Sequence, residues 1–393
     1  MPRPTLEVHA RRGQPLGMPP ARFLRDYWQK RPLLIRGAFP RFQPSLTPDE
    51  LAGLACTEGA LARIVTHAPK RDRWRLRTGP FDDATFAGLP KTHWTLLVQD
   101  VDKWDAQTAT VRAPFAFIPS WRIDDVMISY AADQGGVGAH VDQYDVFLLQ
   151  GLGRRRWSID TRPHPDTAFR GDVELKLLRR FNPDHAWTLD PGDVLYLPSG
   201  VPHDGVAMGE CMTFSIGMRA PSAGELLLDF AAHIASGLPD EQRLADPDLQ
   251  PAAAPGEIDA AALTRVRRTL GTAAALLDDA ALADWFGCFI TRYRSAQLAA
   301  PRRRPISRAT LAQRLPHATL ELDPWCRLAW RRGGRAARLY AAGTAYAAPL
   351  PWARALGGGA RTLTAREHAH LPQSPRAIEL LATLVDAGHL RLR

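Results

Sequence analysis

The 393-residue sequence reads as an α+β protein, with a β-barrel at its centre, a helical segment behind it and a small basic domain at the end. Three observations carry that reading. Between Trp121 and Arg219, short apolar runs ("VMISYA", "YDVFLLQ", "RRWSI", "DVLYLPSG", "MTFSIGM") alternate with Gly, Pro and Asp turns, the texture of a barrel or sandwich. From Pro221 onward the chain turns alanine-rich, with apolar residues at helical spacing. From Pro301 to Arg393 it carries 16 Arg, no Lys and 5 acidic residues, a net charge of +11.

Taken in order, residues 1–115 mix helix and strand. "PPARFLRDYWQKRPLLIRGAF" predicts a helix opened by proline, then a short apolar strand over Pro32–Arg36. The barrel core spans about 121–219 inside a first domain of residues 1–220. "AGELLLDFAAHIASGL" and "DAAALTRVRRTLGTAAALLDDAALADWFGCFITRYR" predict helices from Ser222 to about Gln297, forming a second region, 221–300. Their amphipathic pattern fits an internal bundle and a dimer interface equally well. "LAAPRRRPIS" reads as a linker into a third domain, 301–393. That domain has a ribbon-like stretch, "CRLAWRRGGRAARLYAAGTAYAAP", and a final helix. Ser374 serves as its N-cap, Pro375 opens its first turn and Gly388 stops it.

Composition narrows the function classes. At 45% hydrophobic and 23% charged the chain is ordinary globular protein. No apolar run approaches the roughly 20 residues of a membrane helix, so no membrane partner is expected. "MPRPTLEVHARRGQPLGMPP" lacks the apolar core of a secretory signal. Cys56, Cys211, Cys288 and Cys326 lie far apart, with neither metal-like nor disulfide-like spacing, which predicts a reducing, cytoplasmic setting. The overall +9 is unevenly placed, since the first 300 residues carry a net −2. A basic C-terminal domain is compatible with RNA contact. The plainer reading is an arginine-rich solvated surface.

The chemistry-bearing stretch is "GVGAHVDQYDVFLLQGLGRRRWSI", Gly136 to Ile159. It reads as a strand, a glycine turn and a second strand. Period two puts His140 and Asp142 on one face, with Val141 on the other. Alone, an HxD pair is most simply a surface His–Asp pair. A third ligand changes this. In "LDPGDVLYLPSGVPHDGVAM", Pro191-Gly192 suits a type II turn, "VLYLP" is an apolar strand, and "SGVPH" bends to present His203. In a double-stranded β-helix (a jelly-roll barrel) these two strands lie side by side at the open end. His140, Asp142 and His203 then meet around one ion, two imidazoles and a carboxylate on one octahedral face, as in non-haem Fe(II) oxygenases.

These two stretches, "HVDQYDVFLLQGLGRRRWSI" and "LDPGDVLYLPSGVPHDG", resemble the JmjC-type (cupin-like) oxygenases that use Fe(II), 2-oxoglutarate and O2. Within them the chain is similar to the bacterial ribosomal oxygenases, which hydroxylate an arginine of large-subunit ribosomal protein sixteen. "DYWQKRPLLIRGAF" and the order of barrel, helical region and winged-helix-like C-terminal domain are similar too. The resemblance implies a homodimer built through the helical region. It also implies that Arg155 anchors the far carboxylate of 2-oxoglutarate, because the family's basic anchor lies fifteen residues after the first metal histidine. Arg154 and Arg156 then face outward. Asp125, Tyr144 and Ser215 match positions that hold the substrate arginine.

Side-chain chemistry agrees. Asp125, Met127 and Ser129 share a strand face, a carboxylate pairs well with a guanidinium, and Met127 and Tyr144 can sandwich its plane. Ser129 is expected to line the cofactor pocket. The plainer reading of Asp125 is a strand-end or turn residue. Two alternatives remain at this level: a hydroxylase of a ribosomal histidine, and a nucleic-acid-binding regulator with a non-catalytic barrel. His164, His185, His368 and His370 lack supporting ligands and read as ordinary histidines.

Overall fold

The computed structural model describes residues 5–247, 249, 258–274, 278–294, 296–333 and 336–393. The chain divides into two compact units, Met1–Ala220 and Pro221–Arg393.

In the first unit ten strands form one sheet: β1 (Glu7–His9), β2 (Leu33–Arg36), β3 (Ala62–Ala68), β4 (Arg73–Thr78), β5 (Trp94–Val98), β6 (Ile123–Ala131), β7 (Val146–Ile159), β8 (His185–Leu189), β9 (Val194–Leu197) and β10 (His203–Met218). The hydrogen-bonded order is β1-β2-β9-β7-β10-β6-β5-β3-β4, with β8 added to β7. Among the described residues four α-helices decorate it: α1 (Pro20–Asp26), α2 (Pro48–Ala55), α3 (Asp83–Ala87) and α4 (Val101–Trp104). Residues 7–98 thus contribute five strands to the sheet that holds the barrel, which the local texture of that region did not announce.

Two long strands make the double-stranded β-helix. The first part of β7 pairs with β9 and with the far end of β10. The second part pairs with β8 and with the start of β10. The expected glycine turn is therefore a bulge inside one 14-residue strand. Gly153 sits there at φ +59, where an added Cβ would lie 2.0 Å from the Glu210 carbonyl, so only glycine allows the two strands to stay paired.

Strand parity separates two cores. Leu33, Ile35, Phe147, Leu149, Val194 and Tyr196 join the large core with Phe23, Val126, Ile128 and Phe214. Their sequence neighbours Leu34, Val146, Leu148, Leu195 and Leu197 pack with Trp157 and Ile159 on the other face. Burial on both faces is why these strands read as continuous apolar runs instead of alternating ones. The second face also carries the polar side chains of the site.

The second unit begins with α5 (Ala223–Ser236), α6 (Ala260–Ala274) and α7 (Asp279–Arg292). Ser222 caps α5 in a reciprocal capping box with Glu225. Residues 250–257 and 275–277 of the expected helical stretch lie outside the described residues. Then come α8 (Arg308–Arg314), β11 (Leu320–Leu322), β12 (Leu328–Gly333), β13 (Ala336–Ala341), β14 (Thr344–Pro349), α9 (Leu350–Gly357), β15 (Thr362–Leu363), α10 (Ala365–His368), α11 (Pro375–Asp386) and β16 (Leu390–Leu392). β12, β13 and β14 form the antiparallel ribbon; residues 334–335 lie outside the described residues. In α11 the Ser374 hydroxyl accepts from Ala377 N–H, Pro375 is the first residue, and Gly388 turns the chain at φ +80. Trp352, Leu339, Leu381 and Leu384 are among the residues of this unit's own core.

Candidate active site

His140 does not lie in a regular strand, contrary to the reading of the HxD stretch. It forms an isolated bridge with His203, and β7 begins only at Val146. The bridge does what a strand would have done. His140 N–H donates to His203 O at 3.0 Å and His203 N–H to His140 O at 2.9 Å, so the two side chains are neighbours. Asp142 is held from behind, its carbonyl accepting from Gly200 N–H at 2.8 Å.

The three side chains converge. Asp142 Oδ1 lies 3.9 Å from His140 Nε2, and Oδ2 lies 3.6 Å from His203 Nε2. One ligand atom from each falls within 4.8 Å of the others, close enough to share one ion. Each imidazole Nδ1 sits 2.9 Å from a backbone carbonyl, Gly138 O for His140 and Val201 O for His203. Nδ1–H donates there, which leaves both Nε2 lone pairs free for a metal. Burial, then the neighbouring His140, holds the His203 imidazole below its ordinary titration range, in the neutral state a ligand needs. The donor set fits a divalent metal.

Behind the triad lies Arg155, 3% exposed, while Arg154 and Arg156 on either side are exposed. Its guanidinium donates to Gly205 O at 3.0 Å and approaches the hydroxyls of Ser129 at 3.4 Å and Thr213 at 3.5 Å. It also lies 5.0 Å from the Trp157 ring centroid. Its buried Nε has no hydrogen-bond partner, and among the described residues no carboxylate forms an ion pair with it. A buried cation without a counter-ion is costly, so this pocket is built for an anion.

The inner face of β6 presents Asp125, Met127 and Ser129, as the period of two requires. Ser215 of β10 pairs with Met127, and Thr213 with Ser129. Asp125 Oδ2 accepts from Asp100 N–H at 2.9 Å. Its Oδ1 lies 3.4 Å from where a Cβ on Gly217 would sit, and a Tyr144 ring carbon lies 4.0 Å from that point, so Asp125 and Tyr144 flank one space. Burial pushes the Asp125 carboxyl up to about 7. Tyr144 is 38% exposed at the rim, and burial of its hydroxyl end, reinforced by Asp142 and Asp125, raises the phenol.

Thr213, Trp157 and Gly205 went unrecognised in the sequence. Period two could have found them: Thr213 is two residues before Ser215, Trp157 two after Arg155, and Gly205 two after His203. His368 is buried in the second unit with Nε2 2.9 Å from Ala318 O, and His185 stacks on Trp187. Among the described residues, the only group of three that could hold a metal is His140, Asp142 and His203.

The chain is similar to known proteins over most of its length. Residues 110–226 match the family model of the JmjC domain, and residues 274–391 match that of the ROXA-like winged helix. The winged-helix match thus begins just before α7. The ribosomal protein uL16 3-hydroxylase of Escherichia coli (strain K12) is 34% identical over 380 residues, 93% of this chain and 96% of that protein. The X-ray structure of YcfD from E. coli has a TM-score of 0.83 at 33% identity, covering 96% of this chain and 99% of that one. The ribosomal oxygenase YcfD in complex with cobalt and 2-oxoglutarate gives 0.81 at the same identity and coverage. Ribosomal oxygenase 2 of Bos taurus is 28% identical over 227 residues, 53% of this chain and 47% of that protein. With a relative aligned over nearly the whole of both chains, a match to the JmjC domain and a match to the ROXA-like winged helix later in the sequence, the chain belongs to the JmjC-type ribosomal oxygenases, a family of 2-oxoglutarate-dependent enzymes.

Proposed function

We propose that this protein is an Fe(II)- and 2-oxoglutarate-dependent hydroxylase of an arginine side chain in a large-subunit ribosomal protein, uL16. The observation that carries the reading is Arg155: a buried guanidinium that forms no ion pair with a carboxylate among the described residues, next to a two-histidine, one-carboxylate cluster. A dicarboxylic cosubstrate would supply a negative charge to Arg155 at one end and oxygen ligands to a metal held by the triad at the other. The name of the E. coli relative and the cobalt and 2-oxoglutarate found in YcfD support the same assignment.

His140, Asp142 and His203 would hold the iron. When bound, the metal supplies activation of O2 coupled to decarboxylation of 2-oxoglutarate to succinate, which permits attack on a carbon that offers no acidic proton. The protein's own work is placement. Arg155, with the hydroxyls of Ser129 and Thr213, fixes the far carboxylate. Asp125 takes the substrate guanidinium, Met127 and Tyr144 flank its plane, and Ser215 completes the wall. These contacts set one C–H bond beside the metal and keep water out. A histidine target, the second reading, leaves Asp125 without a planar forked partner.

The experiment is incubation of the protein with recombinant uL16, iron(II) and 2-oxoglutarate under air, followed by fragmentation mass spectrometry. Gain of one oxygen atom on an arginine is the expected result. Oxygen on a histidine, or on neither, would overturn the assignment.

The three regions divide the labour: 1–220 performs the chemistry, 221–300 dimerises, and 301–393, the larger part of the winged-helix match over 274–391, presents the basic surface. Leu227 and Leu228 of α5 and Leu270 of α6 are each at least 66% exposed, apolar surface that a second copy would cover. Light scattering with Leu227→Glu/Leu228→Glu tests the homodimer. The net +11 of residues 301–393 supports contact with ribosomal RNA, read by the salt dependence of RNA binding. A ribosomal substrate places the enzyme in the cytoplasm, and no described helix is long and apolar enough to cross a membrane.

A further inference from the structure

β5 ends at Val98, so among the described residues the stretch of β6 before Ile128 has no strand partner on that side. The turn Asp100–Lys103 takes its place. The Lys103 ammonium donates to Asp124 O at 2.9 Å, and Val126 N–H donates to Asp102 Oδ1 at 2.9 Å. The residues on both sides of Asp125 are therefore clamped by two consecutive side chains. The third clamp is Asp100 N–H on the Asp125 carboxylate itself, at 2.9 Å. Asp100 reaches it from the left-handed region (φ 58), which aspartate enters more readily than most residues.

Lys103 ties the clamps together. It is 4% exposed, bonds both Asp102 oxygens at 2.8 and 3.0 Å, and lies 3.3 Å from Asp100 Oδ1. Arg112 closes the far side of Asp102 at 3.1 Å, and Arg219 pairs with Asp124 at 3.0 Å. We propose that Lys103 is a positioning residue for the cationic substrate: through Asp100, Asp102 and the Asp124 carbonyl it holds the Asp125 carboxylate in the place and charge state that a guanidinium requires. This rests on the reading of Asp125 as the substrate's carboxylate.

The charges around Asp125 are mostly unfavourable to its ionised form. Asp100 and Asp102 of the turn and Asp124 of its own strand all repel it, Tyr144 faces it across the pocket, and Lys103 is the cation that opposes them. Arg112 and Arg219 are engaged with Asp102 and Asp124. Removing the ammonium raises the pH at which Asp125 ionises. Removing the Asp100 charge lowers it.

The test uses the full-length enzyme, recombinant uL16 and two readouts, KM for uL16 and KM for 2-oxoglutarate, across about pH 6 to 9. In the wild type, KM for uL16 rises as pH falls through about 7, where Asp125 takes up a proton. Lys103→Gln should raise KM for uL16 about tenfold near neutrality and move this arm up by about one pH unit, with recovery at high pH. KM for 2-oxoglutarate should stay within about twofold, and Lys103→Arg should restore most of the loss. Asp100→Asn, which keeps the N–H and tolerates the left-handed backbone, should move the arm in the opposite direction, and serves as the test if Lys103→Gln does not fold. A purely structural lysine would change both KM values together and leave the pH arm in place, which overturns the proposal. If Asp125→Asn leaves KM for uL16 unchanged, the substrate-carboxylate reading itself fails. If Asp125→Asn raises it at least about tenfold while Lys103→Gln and Asp100→Asn leave the arm unmoved, only the positioning role fails.

Discussion

Arg155 and Gly205 meet across the β7–β10 ladder: the guanidinium donates to the Gly205 carbonyl at 3.0 Å, and a Cβ on Gly205 would fall 2.7 Å from Arg155 Nε. The missing side chain is what lets the cation lie flat against the strand. The same Cβ would press on the Trp157 ring at 2.7 Å. Gly205→Ala should therefore displace Arg155 at a cost of roughly 1–3 kcal/mol. The expected outcome is about tenfold weaker 2-oxoglutarate binding with iron affinity retained, measured by calorimetry on the metal-loaded protein. An unchanged affinity would mean that the cosubstrate does not use this guanidinium.

The three consecutive arginines give a register test. Arg155→Ala should weaken 2-oxoglutarate by roughly 2–5 kcal/mol, because a buried charged contact is lost. Arg154→Ala and Arg156→Ala, which remove exposed side chains, should stay within about 0.5 kcal/mol. A larger effect at either neighbour contradicts the inward placement of Arg155.

Metal binding rests on side chains that the core does not need. His140→Ala and Asp142→Ala should each lower cobalt(II) affinity by at least about 100-fold, read from the visible absorption of the bound ion. Both should abolish coupled 2-oxoglutarate decarboxylation while circular dichroism stays native. Wild-type turnover in either variant would remove that residue from the ligand set.

Asp125 should cost the empty enzyme stability. Its folded carboxyl is raised from 3.8 to about 7, so the fold holds the proton more tightly than the unfolded chain does. The stabilisation is fully present below the unfolded value and is lost as pH rises through the folded one. Asp125→Asn escapes this loss. Relative to wild type it should gain roughly 1–4 kcal/mol between about pH 4 and pH 8, measured by urea unfolding without substrate. A constant difference across that range would show that the carboxyl titrates normally.

Much of this protein is decided by local sequence. Alternation of side chains along a strand is a covalent property, so spacing alone puts Asp125 on one face with Ser129 and turns Arg155 the opposite way from Arg154 and Arg156; that Arg155 is the inward one came from the family resemblance. The caps of α5 and α11 follow equally from Ser222, Ser374 and Gly388, because a helix end is satisfied by residues within a turn of it. Long-range pairing decided the rest. That "GLG" is a bulge and not a turn depends on β10 lying alongside, with Glu210 O against Gly153. That His140 needs no strand of its own depends on the backbone of His203, far along the chain, reaching it first. The clamp on Asp125 exists because β5 stops short and the Asp100–Lys103 turn fills the gap. That Arg155 has no ion-pair partner among the described residues is likewise a property of its surroundings. No window of sequence contains these facts, because each is settled by which distant groups pack together when the sheet closes.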